Sequence, residues 1–214
     1  MDVNYPKQPE QFTLIMTTRT STPPRWLTLL ALAAYTAVVL ALTMFKAFYQ
    51  IGYLWNPDNQ RQQGISLQLF GEFSRGDSWF APLFGYVGNI AFFVPFGMLL
   101  YFLLRGHASS QGHTSSRGVA RTIVLTTLIG MCTSAAIEAA QYIFSLGFTD
   151  IDDLIMNTFG AALGGVIAAA SDKIFGPRGR WAWVSLALAL GIVFAVLVGL
   201  GERLGDPDKV VEVN

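Results

Sequence analysis

Charge is what this chain of 214 residues has least of: Asp, Glu, Lys and Arg together make up 13 per cent, where soluble domains carry about 25 per cent. That shortfall argues against an ordinary soluble globular protein. Lys plus Arg and Asp plus Glu number 14 each, so there is no basic excess of the kind that draws a protein to nucleic acid. A single cysteine, Cys132, excludes an intramolecular disulfide and a multi-cysteine zinc or iron–sulfur site. Taken alone it is expected to be a small buried apolar residue. The two histidines, His107 and His113, lie six apart in a Ser- and Gly-rich stretch without acids. That spacing fits no common ligand pattern, so no metal and no cofactor are expected.

What is present in quantity is uncharged, apolar sequence. Trp26 to Phe45, Ser78 to Leu104 and Trp181 to Gly201 run for 20, 27 and 21 residues without a charge, and a helix needs about 20 apolar residues to cross a bilayer core. Thr122 to Phe144 is interrupted by Glu138, and Ile151 to Ala170 opens on Asp152 and Asp153. Both read as further spans. These runs are apolar on all sides and rich in Leu, Ala and Gly, without the period-2 alternation of a membrane strand. The fold class expected is an all-α, polytopic membrane protein with about five transmembrane helices, multi-pass in the plasma membrane.

The first run is longer than the 7 to 15 or so apolar residues of a signal-peptide core, which favours a retained helix. Residues 1–25, with four prolines before Arg25 and many Thr and Ser, read as a mobile tail. Residues 46–79 form a long loop, 80–170 a three-span core, 181–201 the fifth span and 202–214 a second tail. Basic residues stay on the cytoplasmic side. Nine of them fall in the tail and the second and fourth loops, against five on the opposite side. This places the N-terminus inside and residues 46–79 outside.

Polar groups within spans are expensive in lipid and mark sites where chemistry can occur. Glu138 and Gln141 are three apart and share a helix face, and Asp153, Asn157, Gly160 and Gly164 form a second stripe. At about 1.5 Å of rise per residue, Glu138 and Asn157 both lie roughly 10 Å below one surface. Asn89 reaches a similar depth in the second span. It precedes Phe93-Val94-Pro95-Phe96-Gly97, where Pro95 frees a backbone carbonyl. The economical expectation is one outward-facing polar pocket, with Gly160 and Gly164 allowing close helix approach.

Asn89 with Phe93-Val94-Pro95-Phe96-Gly97, Glu138-Ala139-Ala140-Gln141, Asp150-Ile151-Asp152-Asp153, Asn157, Gly160 and Gly164 together resemble the VanZ-like membrane proteins. The resemblance covers roughly residues 80–170. It implies a multi-helix bacterial envelope protein of a family whose namesake is associated with resistance to the lipoglycopeptide teicoplanin. It carries over Asn89, Pro95, Gly97, Glu138, Gln141, Asp150, Asp153, Asn157 and Gly160 as motif positions. Many members have an Arg between the Glu-x-x-Gln and Asp motifs; Ser145 to Thr149 contains none.

Plainer readings stand beside these. Asp150 and Asp152 can simply cap a helix start, and Glu138 and Asn157 can form an interhelical hydrogen-bond clamp. Trp26, Trp181 and Trp183 read as interfacial anchors, as does the aromatic stretch Phe48 to Trp55. Gly191 and Gly199 read as helix-packing positions. Three function classes follow. The first is a non-catalytic protein that recognises membrane lipid, a lipid-linked cell-wall precursor or a lipoglycopeptide at the outer leaflet. The second is an intramembrane enzyme acting on a lipid headgroup through Glu138 and Asp153. The third is a carrier with Glu138 as a proton site. The first is favoured, since no nucleophile joins the carboxylates and no inverted repeat is visible.

Overall fold

A computed structural model describes residues 21–44, 64–71, 73, 79–106, 115–145 and 148–204. Its elements are α1 (Arg25–Met44), β1 (Gly64–Ser66), α2 (Phe80–Arg105), α3 (Ser116–Ile143), β2 (Phe148–Asp150), α4 (Ile151–Phe175) and α5 (Pro177–Leu204). All five helices are long and apolar enough to cross a membrane, as the uncharged runs predict. The tail before residue 21, Phe48 to Trp55, His107 and His113 lie outside the described residues.

The helices outrun the apolar stretches that signal them. Residues 171–180, expected as a charged loop, are helical except for Gly176. Gly176 ends α4 at φ +54° with its N–H on the Asp172 carbonyl, a left-handed stop that glycine adopts without steric cost. Pro177 then opens α5, where its missing N–H and fixed φ do no harm. The charges become ties between helices. Arg180 is buried and grips Asp172 with two nitrogens, Nε to Oδ1 at 2.7 Å and Nη2 to Oδ2 at 2.5 Å. Its Nη1 donates to the Gly106 carbonyl at 2.9 Å, and the guanidinium lies 5.5 Å from the centre of the Phe102 ring. One planar fork thus joins the ends of α2, α4 and α5. Arg180→Lys keeps the charge but loses the fork and is expected to cost about 2 kcal/mol, since hydrogen bonds to charged groups contribute roughly 1.5–3 kcal/mol. Denaturant unfolding in detergent micelles measures it, and an unchanged midpoint would contradict this role.

Small residues set the distances inside the bundle. A Cβ on Gly160 would collide with the Ile90 carbonyl, one on Gly164 with the Val94 carbonyl, and one on Gly97 with the Ala161 carbonyl. Backbone therefore meets backbone where α2 crosses α4, at the stretch that holds Pro95. Beside this crossing, the Phe92 carbonyl of α2 accepts a hydrogen bond of 3.1 Å from the Tyr35 hydroxyl of α1. Gly130 of α3 lies against the Ala161 side chain, and Gly191 of α5 against Ala34 of α1. Ser134 meets Asn157, Gly130 meets Ala161, and Thr126 meets Gly165. These pairs step by four along each helix, as antiparallel helices do when one face of each meets the other.

The outside of the bundle is apolar: Leu128, Phe159, Val166, Ile192, Val193 and Val196 are all exposed. Such a surface would be an association hazard in water and suits lipid contact. Cys132 belongs to this exposed face, which corrects the expectation of burial. Thr126, Gly130, Ser134 and Glu138 carry the buried side of α3, and Cys132, two residues from Gly130, points away from it. Trp183 also departs from a pure anchor role, because it packs against the Met98, Tyr101, Phe102 and Ala168 cluster. Trp181 is tied at the bundle end, with Nε1 donating to the Ser21 carbonyl at 2.7 Å.

Candidate functional site: a polar cluster at one end of the bundle

The C-terminal ends of α1 and α3 meet the N-terminal ends of α2 and α4 at one end of the molecule. Two short strands lie across them. β1 and β2 pair in parallel, Gly64 with Phe148, Ile65 with Thr149 and Ser66 with Asp150. Residues of the first long loop are therefore fixed to the turn that joins α3 and α4.

Glu138 is buried on α3, and its Oε2 accepts from the Asp150 backbone N–H at 3.0 Å. The Glu138 carbonyl accepts from the Thr149 hydroxyl at 3.0 Å, so one residue anchors β2 twice. Asp150 is the N-cap of α4: its backbone is extended and its Oδ1 accepts from the Asp152 N–H at 2.9 Å. This is the capping role expected of it, with a donor of the first turn satisfied. Asn89 Nδ2 of α2 donates to Asp153 Oδ1. Asn157 sits one turn deeper and donates to Ser134 Oγ at 3.0 Å. Gln141 Nε2 reaches α1 and donates to the Thr43 carbonyl at 3.2 Å.

Asn89, Glu138, Asp150 and Asp153 thus come together. Asn157 belongs to the α3–α4 contact below them, and Gln141 to the α1–α3 contact beside them. Pro95, Gly97, Gly160 and Gly164 form the α2–α4 crossing that brings Asn89 and Asp153 to the same level.

Asp152, which by sequence can simply stand at a helix start, lies in the first turn of α4 and does more than that. Its side chain is 1 per cent exposed. Its two oxygens accept from the Phe70 N–H at 3.1 and 2.8 Å, and Oδ2 also accepts from the Tyr86 hydroxyl at 2.8 Å. Phe70 adopts a φ of +55°, a strained value for a bulky residue that aims its N–H at the carboxylate. The rings of Phe70 and Phe73 lie 5.9 and 5.5 Å from that of Tyr86. Asp152, Tyr86, Phe70 and Ser134 were the residues missed. The one available signal was three acids in four positions, more than capping needs.

Chemically, this is a set of carboxylates held by backbone amides, an amide side chain and a phenol. Hydrogen bonding of this kind is what allows acids at the membrane boundary without prohibitive cost. Among the described residues no group of three or more His, Cys, Asp and Glu is arranged to hold a metal ion. The segment tied to Asp152 is apolar on its free side: Ile65, Leu67, Leu69, Phe70 and Phe73 are exposed, Leu67 at 75 per cent. A polar network and an apolar surface therefore adjoin.

Protein VanZ of Enterococcus faecium is 28 per cent identical over 145 residues, covering 66 per cent of this chain and 73 per cent of that protein. No solved structure matches. The family model of VanZ/LLP1 matches residues 32–175, a stretch that takes in most of α1, both strands, α2, α3, α4 and every member of the polar cluster. The chain belongs to the VanZ/LLP1 family.

Proposed function

We propose that this protein acts in the bacterial plasma membrane as a non-catalytic envelope protein, recognising an amphipathic or lipid-linked molecule at the outer leaflet. On this reading it contributes to resistance against lipoglycopeptides such as teicoplanin. The observation that carries it is the segment from Gly64 to Phe73, pinned by Asp152 and Tyr86 while exposing apolar side chains. An acyl chain would meet that surface, and a polar headgroup would meet the carboxylates and amides beside it. The excess of Lys and Arg at the opposite end supports placing this cluster outside.

The test is expression of the wild type and Glu138→Ala at matched membrane levels in a susceptible bacterium, followed by growth-inhibition titrations with teicoplanin and vancomycin. The expected result is a teicoplanin-selective rise of at least fourfold that disappears in the variant. No rise with the wild type would detach the protein from this role.

A second reading, an enzyme acting on a lipid headgroup, draws support from two carboxylates in one cluster, Glu138 bonded to the N-cap residue of α4 and Asp153 in the first turn of that helix. Glu138→Gln distinguishes the two. The amide oxygen still accepts from the Asp150 N–H, so recognition is expected to stay within twofold of wild type, whereas acid–base chemistry would be lost. Complete loss of resistance in a correctly folded Glu138→Gln protein would favour the enzyme.

A further inference from the structure

At the end of the bundle remote from the acids, α2, α3 and α4 diverge around a cavity of about 770 Å³. That volume falls within the roughly 300–1,000 Å³ typical of ligand sites. Its lining changes with depth. Arg105 at the end of α2, Lys173 in the last turn of α4 and Ser116 at the start of α3 stand at the mouth, while Ile123 and Ala169 line it further in. On α3 the apolar lining starts with Val119 and Ala120 and extends to Ile123, seven residues beyond Ser116 and so roughly 10 Å below the mouth at about 1.5 Å per residue.

The mouth is positive. Asp172 also lines it, but both its oxygens are engaged by Arg180. Arg105 Nε is buried and has no hydrogen-bond partner among the described residues. The N-terminus of α3 lies at the same mouth: the Gly118 N–H is taken by the Ser115 carbonyl at 2.9 Å, but the Ser115 side chain caps no N–H of the first turn, and a helix N-terminus favours an anion. A guanidinium, an ammonium and a helix N-terminus above an apolar cleft match a phosphate above acyl chains. Basic pockets of this kind between helices recognise lipid headgroups.

We infer that this cavity binds an anionic phospholipid, the phosphate at Arg105 and Lys173 and the upper part of an acyl chain against Ile123 and Ala169. A soluble phosphate would use the mouth and leave the apolar depth unfilled. The site lies at the other end of α2, α3 and α4 from the Glu138 cluster and does not depend on what that cluster recognises.

The full-length protein, purified in detergent, is titrated with phosphatidylglycerol, phosphatidylcholine and glycerol 3-phosphate, with adducts counted by native mass spectrometry. Phosphatidylglycerol is expected to bind at least tenfold more tightly than phosphatidylcholine, and glycerol 3-phosphate not at all over the same range. Arg105→Gln combined with Lys173→Gln should reduce phosphatidylglycerol to the phosphatidylcholine level. Arg178→Gln, which removes an exposed charge at the same end but outside the cavity lining, should change binding less than twofold. If the double variant fails to fold, Lys173→Gln alone, at an exposed side chain, is expected to weaken binding at least threefold. Equal affinity for the two lipids would overturn the assignment. So would glycerol 3-phosphate binding as tightly as the lipid, wild-type preference in the variants, or an equal loss in Arg178→Gln.

Discussion

Replacing Asp152 with alanine is expected to destabilise the protein by about 3–5 kcal/mol and to free the segment from Gly64 to Phe73. The carboxylate is 1 per cent exposed and accepts from the Phe70 N–H and the Tyr86 hydroxyl. Removing it takes the acceptor away from the Phe70 N–H and the Tyr86 hydroxyl together, and each hydrogen bond to a charged acceptor contributes roughly 1.5–3 kcal/mol. Phe70 holds its φ of +55° against steric preference, so without the acceptor that strain has nothing to offset it. The pairing of β1 with β2 covers three residues, too few to hold the loop alone. Asp152→Asn keeps one oxygen acceptor and is expected to lose about half as much. Equilibrium unfolding in mixed micelles gives the energies, and limited proteolysis reports whether the segment becomes cleavable. An Asp152→Ala protein with wild-type stability and an uncut loop would show that the carboxylate does not fasten it.

The other large effect is expected at the α2–α4 crossing. Gly164→Leu should prevent these helices from packing, and Gly164→Ala should cost about 2–3 kcal/mol or more, at or above the upper part of the overpacking range. The reason is that the obstacle is backbone. A Cβ on Gly164 meets the Val94 carbonyl, with the Met98 amide nitrogen at 3.0 Å and the Gly97 Cα at 3.1 Å, and none of these can rotate aside. Gly160→Ala faces the Ile90 carbonyl in the same way. Gly88→Ala supplies the internal control, because nothing lies within 4 Å of its added Cβ. It is expected to be neutral or to gain up to about 1 kcal/mol from helix propensity. If Gly164→Ala proves as stable as Gly88→Ala, the helices are not held at this separation. Because the crossing also sets the level of Asn89 against Asp153, Gly164→Ala should disturb the polar cluster as well as the core.

Much of this architecture is legible in the sequence. The five spans follow from the absence of charge over lengths that match a bilayer, since in hydrocarbon the backbone must satisfy itself and a helix does so locally. The glycines of the crossing, the Asp150 cap and the grouping of Asn89, Glu138 and Asp153 follow from helical spacing and depth. The ordered motifs were enough to suggest the family.

Other features depend on contacts between distant positions, which helical period and hydropathy do not encode. The sequence presents Asp152 as one of three acids at a helix start, and only the 82-residue separation bridged by its bond to Phe70 turns it into a latch. Arg180 reads as a loop charge, yet the Gly176–Pro177 stop-and-start folds it back onto Asp172. Cys132 is as apolar as its neighbours, and its lipid-facing position is decided by which side of α3 meets α4. The cavity at Arg105 and Lys173 is of the same kind: three helix ends must diverge in space before two basic residues 68 positions apart line one cavity. Hydrophobic length and local spacing determined the number and character of the helices; the rotation of each helix, and hence which polar groups meet, was decided by tertiary packing.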